Sequence, residues 1–243
     1  KDYGYFAGGY ASPNTRTTVD RLDYSNDTPT QSPRGPLAAS SCYYGAAGNS
    51  SSGYWAGGDQ FPARNLTTMQ RVSYASDTAT ALVRGPLLVG TVKVKATGNS
   101  SHGYWGGGRT TTNDSDQSSY IQRIDYANDT TTLSDRARLS RKTVWTASTS
   151  SRDEGHPIIG APFVESRQYY PSSQRGYYAG GYAPPAATFI QRTDYANDTT
   201  TASPRGTLPT GSYDGDGCSS VDYGYSVGIA PGKSDVWRLD YSN

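Results

Sequence analysis

Residues that commonly catalyse reactions are sparse in this sequence. The chain holds only two histidines, His102 and His156, and neither lies in an HExxH metal motif. No serine lies in a Gly-x-Ser-x-Gly elbow, and no Gly-rich phosphate-binding loop is present. His102 directly precedes a Gly-Tyr pair, where we expect a histidine in a solvated turn. We therefore predict that the protein is not an enzyme.

Two short acidic runs offer hard oxygen atoms of the kind that calcium prefers. One run contains Asp214 and Asp216, separated by glycine, and the other spans residues 113–116. Neither follows the twelve-residue EF-hand pattern, and such runs are also common in plain polar turns. Asp214 and Asp216 are thus candidate metal ligands, with calcium the only cofactor that the sequence suggests.

Arginine and tyrosine recur in a motif that reads Arg-x-Asp-Tyr and is followed by a turn sequence close to Asn-Asp-Thr. A catalytic residue occurs once in a chain, whereas a structural residue recurs with the repeat. Because Arg and Asp lie two apart on a strand, they share a face and are expected to pair within or between repeats. The residues assigned to this structural role are Arg21, Arg71, Arg123, Arg192, Arg238, Tyr24, Tyr74, Tyr126, Tyr195 and Tyr241. The same role is assigned to the arginines of a later Arg-Gly motif, Arg34, Arg84 and Arg205, and to Arg136, whose copy has Ala137 in place of glycine.

Spacing between the motifs separates rigid connections from surface loops. The distance from motif tyrosine to the next Arg-Gly arginine is constant, as from Tyr24 to Arg34 and from Tyr126 to Arg136. Constant spacing predicts packed connections. The distance from the Gly-Tyr motif to the Asp-Tyr motif differs from repeat to repeat, as expected of surface loops.

One repeat carries an insertion at residues 151–172, which we place between its first and second strands. Long loops with charged and aromatic residues often form contact surfaces. The candidate ligand-binding residues there are Arg152, His156, Arg167, Tyr169 and Tyr170. A lid that packs on the rest of the domain is the alternative.

Each repeat is expected to form four short strands. Residues 121–126 alternate in the manner of a strand, and the paired glycines of Gly-Tyr-x-x-Gly-Gly end another. First strands are predicted at 39–44, 91–95 and 143–147. The chain opens at a second strand and closes at a third. Either residues outside the chain complete the ring, or the array has more blades.

Composition excludes several broad classes. The 21 tyrosines and 4 tryptophans, at recurring positions, argue against disorder. A formal net charge of +1 gives no general attraction to nucleic acid. No apolar run approaches the roughly 20 residues of a membrane helix. Cys42 and Cys218 occupy different repeat positions, so they are expected to be separate thiols.

The Gly-Tyr-Trp-Ala-Gly-Gly segment (53–58) and the Arg-Ile-Asp-Tyr segment (123–126) resemble the second and third strands of kelch repeats. The resemblance implies an all-β, kelch-like β-propeller of about five four-stranded blades of about 50 residues each, or a segment of a larger propeller. The fourth-strand tryptophan usual in kelch repeats is absent. One domain, 1–243, is expected, with units at about 1–38, 39–88, 89–140, 141–209 and 210–243.

Residues 4–37 combine Gly-Tyr-Phe-Ala-Gly-Gly, Asp-Tyr-Ser-Asn-Asp-Thr and Arg-Gly-Pro-Leu. This combination is similar to repeats of structural proteins of marine bacteriophages, such as cyanophage tail fibres. The resemblance implies a virion surface or extracellular location. It also implies host-surface glycan or protein receptors and other virion subunits as partners, and self-association stays open.

We therefore expect a non-enzymatic module for host-surface recognition, with tyrosine- and tryptophan-rich faces suited to carbohydrate. Three alternatives remain. The first is a purely structural virion component, and the second is a cellular kelch-type protein-binding module. The third is an enzyme, which would need an acidic pair in the central channel.

Overall fold

The computed structural model confirms the predicted all-β propeller. It describes residues 3–113, 115–151, 175–182, 186–220, 222–227 and 235–242. Five antiparallel sheets are arranged in a ring as the five blades of a β-propeller. Within the described ranges, the helical segments are three short 3₁₀ turns, at Tyr74–Ser76, Tyr126–Asn128 and Tyr195–Asn197. None of the described helical turns has the length and apolar character required to cross a membrane.

Strands follow one another across each sheet in chain order. Blade 1 has β1 (Tyr3–Ala7), β4 (Val19–Asp23) and β5 (Ser32–Pro33), with a small hairpin of β2 (Tyr10–Ala11) and β3 (Asn14–Thr15). Blade 2 has β6 (Gly45–Gly48), β7 (Ser52–Ala56), β8 (Met69–Ser73) and β9 (Leu82–Arg84). Blade 3 has β10 (Lys95–Gly98), β11 (His102–Gly106), β12 (Ser118–Asp125) and β13 (Ser134–Thr143). Blade 4 has β14 (Ala147–Ser151), β15 (Arg175–Ala179), β16 (Phe189–Asp194) and β17 (Ser203–Thr207). Blade 5 has β18 (Asp216–Ser219), β19 (Tyr223–Val227) and β20 (Val236–Asp240).

The first strands β6, β10, β14 and β18 are the innermost, and those of neighbouring blades contact one another. They begin later than the sequence predicted, at residues 45, 95 and 147 in blades 2 to 4. The correction has a backbone cause. Tyr43, Lys93 and Trp145 all have positive φ, which interrupts an extended strand.

Paired glycines follow the second strands of blades 1 to 4 because the chain turns sharply against its neighbour. Gly57 and Gly58 have φ of 81° and 89°. A Cβ on Gly58 would lie 2.3 Å from the backbone oxygen of Cys42. Only glycine fits both the dihedral angles and the close approach, so the motif marks where the loop meets the inner strand.

Tyrosines stack between neighbouring blades. The Gly-Tyr tyrosine of each of the first four blades lies on the motif tyrosine of the next, with ring centroids 4.6–5.1 Å apart. The four pairs are Tyr5–Tyr74, Tyr54–Tyr126, Tyr104–Tyr195 and Tyr177–Tyr241. Tyr24, the motif tyrosine of blade 1, differs because this residue is 58% exposed.

The motif arginines of blades 1 to 3, Arg21, Arg71 and Arg123, pair with an aspartate of the next blade that the sequence assigned to a turn. Arg21 and Arg34 of blade 1 lie 2.9 and 3.3 Å from one carboxylate oxygen of Asp77 in blade 2. The aspartate of Arg-x-Asp-Tyr has another task. Asp125, for example, accepts a hydrogen bond of 2.9 Å from the Ala127 N–H and so caps a 3₁₀ turn.

Candidate functional site

Four residues at one end of the propeller share an unusual backbone conformation. Tyr43, Lys93, Trp145 and Asp214 have φ of 58°, 59°, 58° and 57°. Each lies two residues before the innermost strand of its blade. Neighbouring members are joined across blades, because Lys93 N–H donates to the Tyr43 carbonyl at 2.6 Å and Asp214 N–H donates to the Trp145 carbonyl at 3.0 Å. We call these four residues the entry ring.

The four residues of the entry ring share one backbone conformation but carry different side chains. A left-handed conformation costs a residue with a Cβ roughly 1–2 kcal/mol, and glycine would avoid that cost. The scaffold therefore requires the dihedral angles, not a tyrosine, lysine or tryptophan. Non-glycine residues kept at strained positions are typical of binding sites, which makes this end the candidate functional face.

Three aromatic side chains pack together beside the ring. Trp145 lies 5.7 Å from Tyr182 and 5.8 Å from Tyr213, and the two tyrosines are 5.6 Å apart, centroid to centroid. Lys93 places its Nζ 3.6 Å from the Trp145 ring. All four side chains are partly exposed. We call Trp145, Tyr182 and Tyr213 the aromatic cluster.

The local chain path explains how the aromatic cluster forms. Tyr182 follows the paired glycines of blade 4, and its N–H donates to the Val144 carbonyl at 2.7 Å. That bond places the loop after β15 against the segment that precedes β14. Tyr213 precedes Asp214 of the entry ring in blade 5. The cluster therefore combines loops from two neighbouring blades.

A second aromatic pair lies on the loops that follow the paired glycines of blades 1 and 2. Tyr10 and Phe61 are in contact, with ring centroids 5.5 Å apart. Arg64 lies 3.9 Å over the Phe61 ring, and its Nη1 lies 3.0 Å from the Asp59 carboxylate. We call Tyr10 and Phe61 the rim pair.

Charges around the ring are balanced. Lys95 donates to the exposed Asp216 carboxylate at 2.7 Å. Burial raises the pKa of Asp214, and the nearby Lys93 and Lys95 oppose that rise. The two predicted metal ligands thus face lysines. Among the described residues, no group of three or more His, Cys, Asp or Glu side chains could hold a metal ion.

The predicted loop site lies outside the described residues. This applies to Arg152, His156, Arg167, Tyr169 and Tyr170, and to the insertion 151–172 apart from the backbone of Ser151. The flanking residues Ser151 and Arg175 pair across β14 and β15. They lie at the end of the blade opposite the entry ring, since β14 begins beside the ring and runs away from it.

The sequence-based prediction placed the binding site in the insertion and therefore missed the aromatic cluster. A signal was present, since Tyr43, Lys93, Trp145 and Asp214 align in the repeat and differ in type. His102 begins β11 rather than lying in a turn, and burial followed by the charge of Arg123 lowers its pKa. Cys42 is buried, and its thiol pKa rises to about 11 for that reason.

Compared with known proteins, the chain matches no protein-family model and no curated protein sequence. The kelch and phage resemblances therefore depend on the short motifs alone. The β-propeller fold itself suits a binding or interaction module.

Proposed function

We propose that this protein is a non-enzymatic binding module that recognises a host-surface glycan, as part of a virion or other extracellular assembly. The observation that carries the proposal is the partly exposed aromatic cluster beside a strained entry ring. Virion location is supported only by the similarity of the repeats to those of marine phage structural proteins.

The chemistry of the cluster favours a sugar. Flat aromatic faces bury the apolar side of a pyranose ring, and nearby polar groups bond its hydroxyls. Lys93 is a hydrogen-bond donor and Asp214 an acceptor, both on the entry ring. Trp and Tyr also carry much of the binding energy where they occur at recognition sites.

Binding of the purified chain to host cells and to a glycan array tests the proposal. Trp145→Ala and Tyr182→Ala should each weaken the strongest array signal by about tenfold, which corresponds to about 1.4 kcal/mol. Tyr24→Ala is the matched control, because Tyr24 is an exposed tyrosine at the opposite end of its blade. Its binding should equal that of the wild type.

Other outcomes would redirect the assignment. If deletion of residues 152–170 abolishes binding while Trp145→Ala does not, the site lies in the insertion. If the folded chain binds no glycan but binds a host protein, it is a protein-interaction module. If it binds nothing, the structural virion role replaces recognition.

A further inference from the structure

We infer that the glycan site extends from the aromatic cluster across the entry ring to the rim pair, so that its ligand is an extended, uncharged oligosaccharide. This inference depends on the proposed function and specifies the ligand class of the same site. It adds a second place where a sugar ring stacks, formed by Tyr10 and Phe61.

The rim pair is exposed and is not a repeated feature. Tyr10 is 48% exposed and Phe61 38% exposed. The position that Tyr10 occupies after the paired glycines holds Asp59 in blade 2, Arg109 in blade 3 and Tyr182, a member of the aromatic cluster, in blade 4. Since the repeat does not require an aromatic residue there, packing of the blade does not explain the pair.

The rim pair is also held in place before any ligand arrives. Arg64 covers one side of the Phe61 ring, and Asp59 fixes Arg64. The Asp59 carboxylate, which is almost fully buried, also accepts a hydrogen bond of 2.9 Å from the Asn65 N–H. A platform fixed in this way loses little conformational entropy on binding.

Tyr43 connects the two aromatic groups. This residue is 50% exposed. Partial burial, and then the nearby groups of Cys42, Tyr10 and Asp214, raise its pKa. Lys93 lies 5.9 Å from the Tyr43 ring and 3.6 Å from the Trp145 ring. Cys42, which precedes Tyr43, also pairs with Asp59 on the loop of the rim pair through backbone hydrogen bonds of 3.0 and 2.9 Å. Tyr43 and Lys93 therefore connect the rim pair to the aromatic cluster.

This arrangement specifies ligand size and charge. A monosaccharide covers one aromatic platform, whereas an oligosaccharide can stack on both. Once one end is bound, the other end is held near the second platform, which raises its effective concentration there. Three basic side chains beside the aromatic rings each lie close to a carboxylate: Lys95 is paired with Asp216, Arg64 is paired with Asp59, and Lys93 lies near Asp214. This local neutralisation favours an uncharged glycan over an acidic one.

Titration calorimetry with homologous sugar series tests the inference. The probes are β-1,4-linked glucose and β-1,4-linked N-acetylglucosamine oligomers, from the monosaccharide to the hexasaccharide. For at least one series, affinity should rise by about tenfold or more with length. The Tyr10→Ala/Phe61→Ala double variant should remove that rise and leave the affinity for the shortest binder unchanged.

Three results separate the two proposals. Trp145→Ala should weaken oligomers of every length, and if it does not, the proposed function fails. Length dependence that persists in the Tyr10→Ala/Phe61→Ala variant overturns the extension to the rim pair while the cluster stands. Failure of both neutral series, or binding that collapses in high salt, overturns the assignment to uncharged oligosaccharides. Thermal unfolding of each variant confirms that it is folded.

Discussion

Arg71 of blade 2 donates a hydrogen bond of 2.7 Å to the Asp129 carboxylate of blade 3. The same carboxylate oxygen lies 3.2 Å from Arg84 Nε and accepts a hydrogen bond of 2.9 Å from the Tyr54 hydroxyl. Asp129 is 7% exposed. Two arginines and a tyrosine of one blade thus converge on a buried aspartate of the next.

Asp129→Asn should destabilise the fold by about 3 kcal/mol. The change removes the negative charge that compensates two partly buried guanidinium groups, and breaking such a buried pair typically costs about 3–5 kcal/mol. Chemical denaturation of both variants measures the effect. Asp27→Asn is the control, since Asp27 has the same repeat position but is exposed. It should change stability by less than about 0.5 kcal/mol, and equal effects would show that the inter-blade contacts contribute little.

The same contacts explain what the sequence could and could not predict. The constant distance from Tyr24 to Arg34 reflects packing, because Arg21 of β4 and Arg34, directly after β5, reach one carboxylate. The partner was missed because each repeat carries both an arginine and a turn aspartate, so the sequence does not show whether an arginine pairs with the aspartate of its own repeat or of the next. Asp77 belongs to a turn motif in its own blade, and only the three-dimensional arrangement brings it to blade 1.

The candidate site was harder to predict because it depends on backbone dihedral angles. Glycine or asparagine commonly marks a left-handed residue, but Trp145 and Lys93 carry no such mark. Hydrogen bonds between blades accompany the shared conformation, from Lys93 to Tyr43 and from Asp214 to Trp145. The insertion is visible in the sequence as a difference in length. Variation at one aligned position is visible too, but it does not reveal that the backbone there is left-handed.

Stability should fall between pH 10 and pH 12. Burial, and then the hydrogen bond to Asp129, raise the pKa of Tyr54 from 10.0 to about 12, and burial raises that of Tyr241 to about 12. The folded state thus favours the neutral phenol. The stability that these neutral phenols contribute to the folded state is complete below pH 10 and is lost as the pH rises through 12.

Denaturation at a series of alkaline pH values measures this loss. In Tyr54→Phe the pH dependence should be shallower, even though the variant is less stable at neutral pH because it lacks the hydrogen bond to Asp129. An unchanged pH dependence in Tyr54→Phe would mean that Tyr54 ionises equally well in the folded and unfolded chains.

Gln122→Glu should destabilise the protein by about 2–3 kcal/mol at neutral pH. The Gln122 amide accepts from the Val89 N–H at 2.9 Å and donates to the Val89 carbonyl at 3.2 Å, and the side chain is 1% exposed. A carboxylate there loses the donor and buries a charge. Acidic pH should restore part of the stability, since a protonated carboxyl can donate. Gln31→Glu, at an exposed position, should have little effect at either pH.

Substitution at Lys93 tests whether the entry ring is strained. Lys93→Gly and Lys93→Val both remove the ammonium that lies over Trp145, so they lose the same cation–π contact. They differ in backbone cost, because glycine adopts φ of 59° freely whereas a β-branched residue does not. Lys93→Val should therefore be less stable than Lys93→Gly by about 1–2 kcal/mol.

The order should reverse at Lys142, an exposed residue of β13. In a strand, valine is favoured over glycine by up to about 1 kcal/mol. Thermal and chemical unfolding of the four variants gives both comparisons. If glycine is the less stable choice at both positions, the ring carries no strain. If only Lys93 prefers glycine, and Lys93→Gly also loses glycan binding, the natural residue is kept for its side chain at a cost in stability.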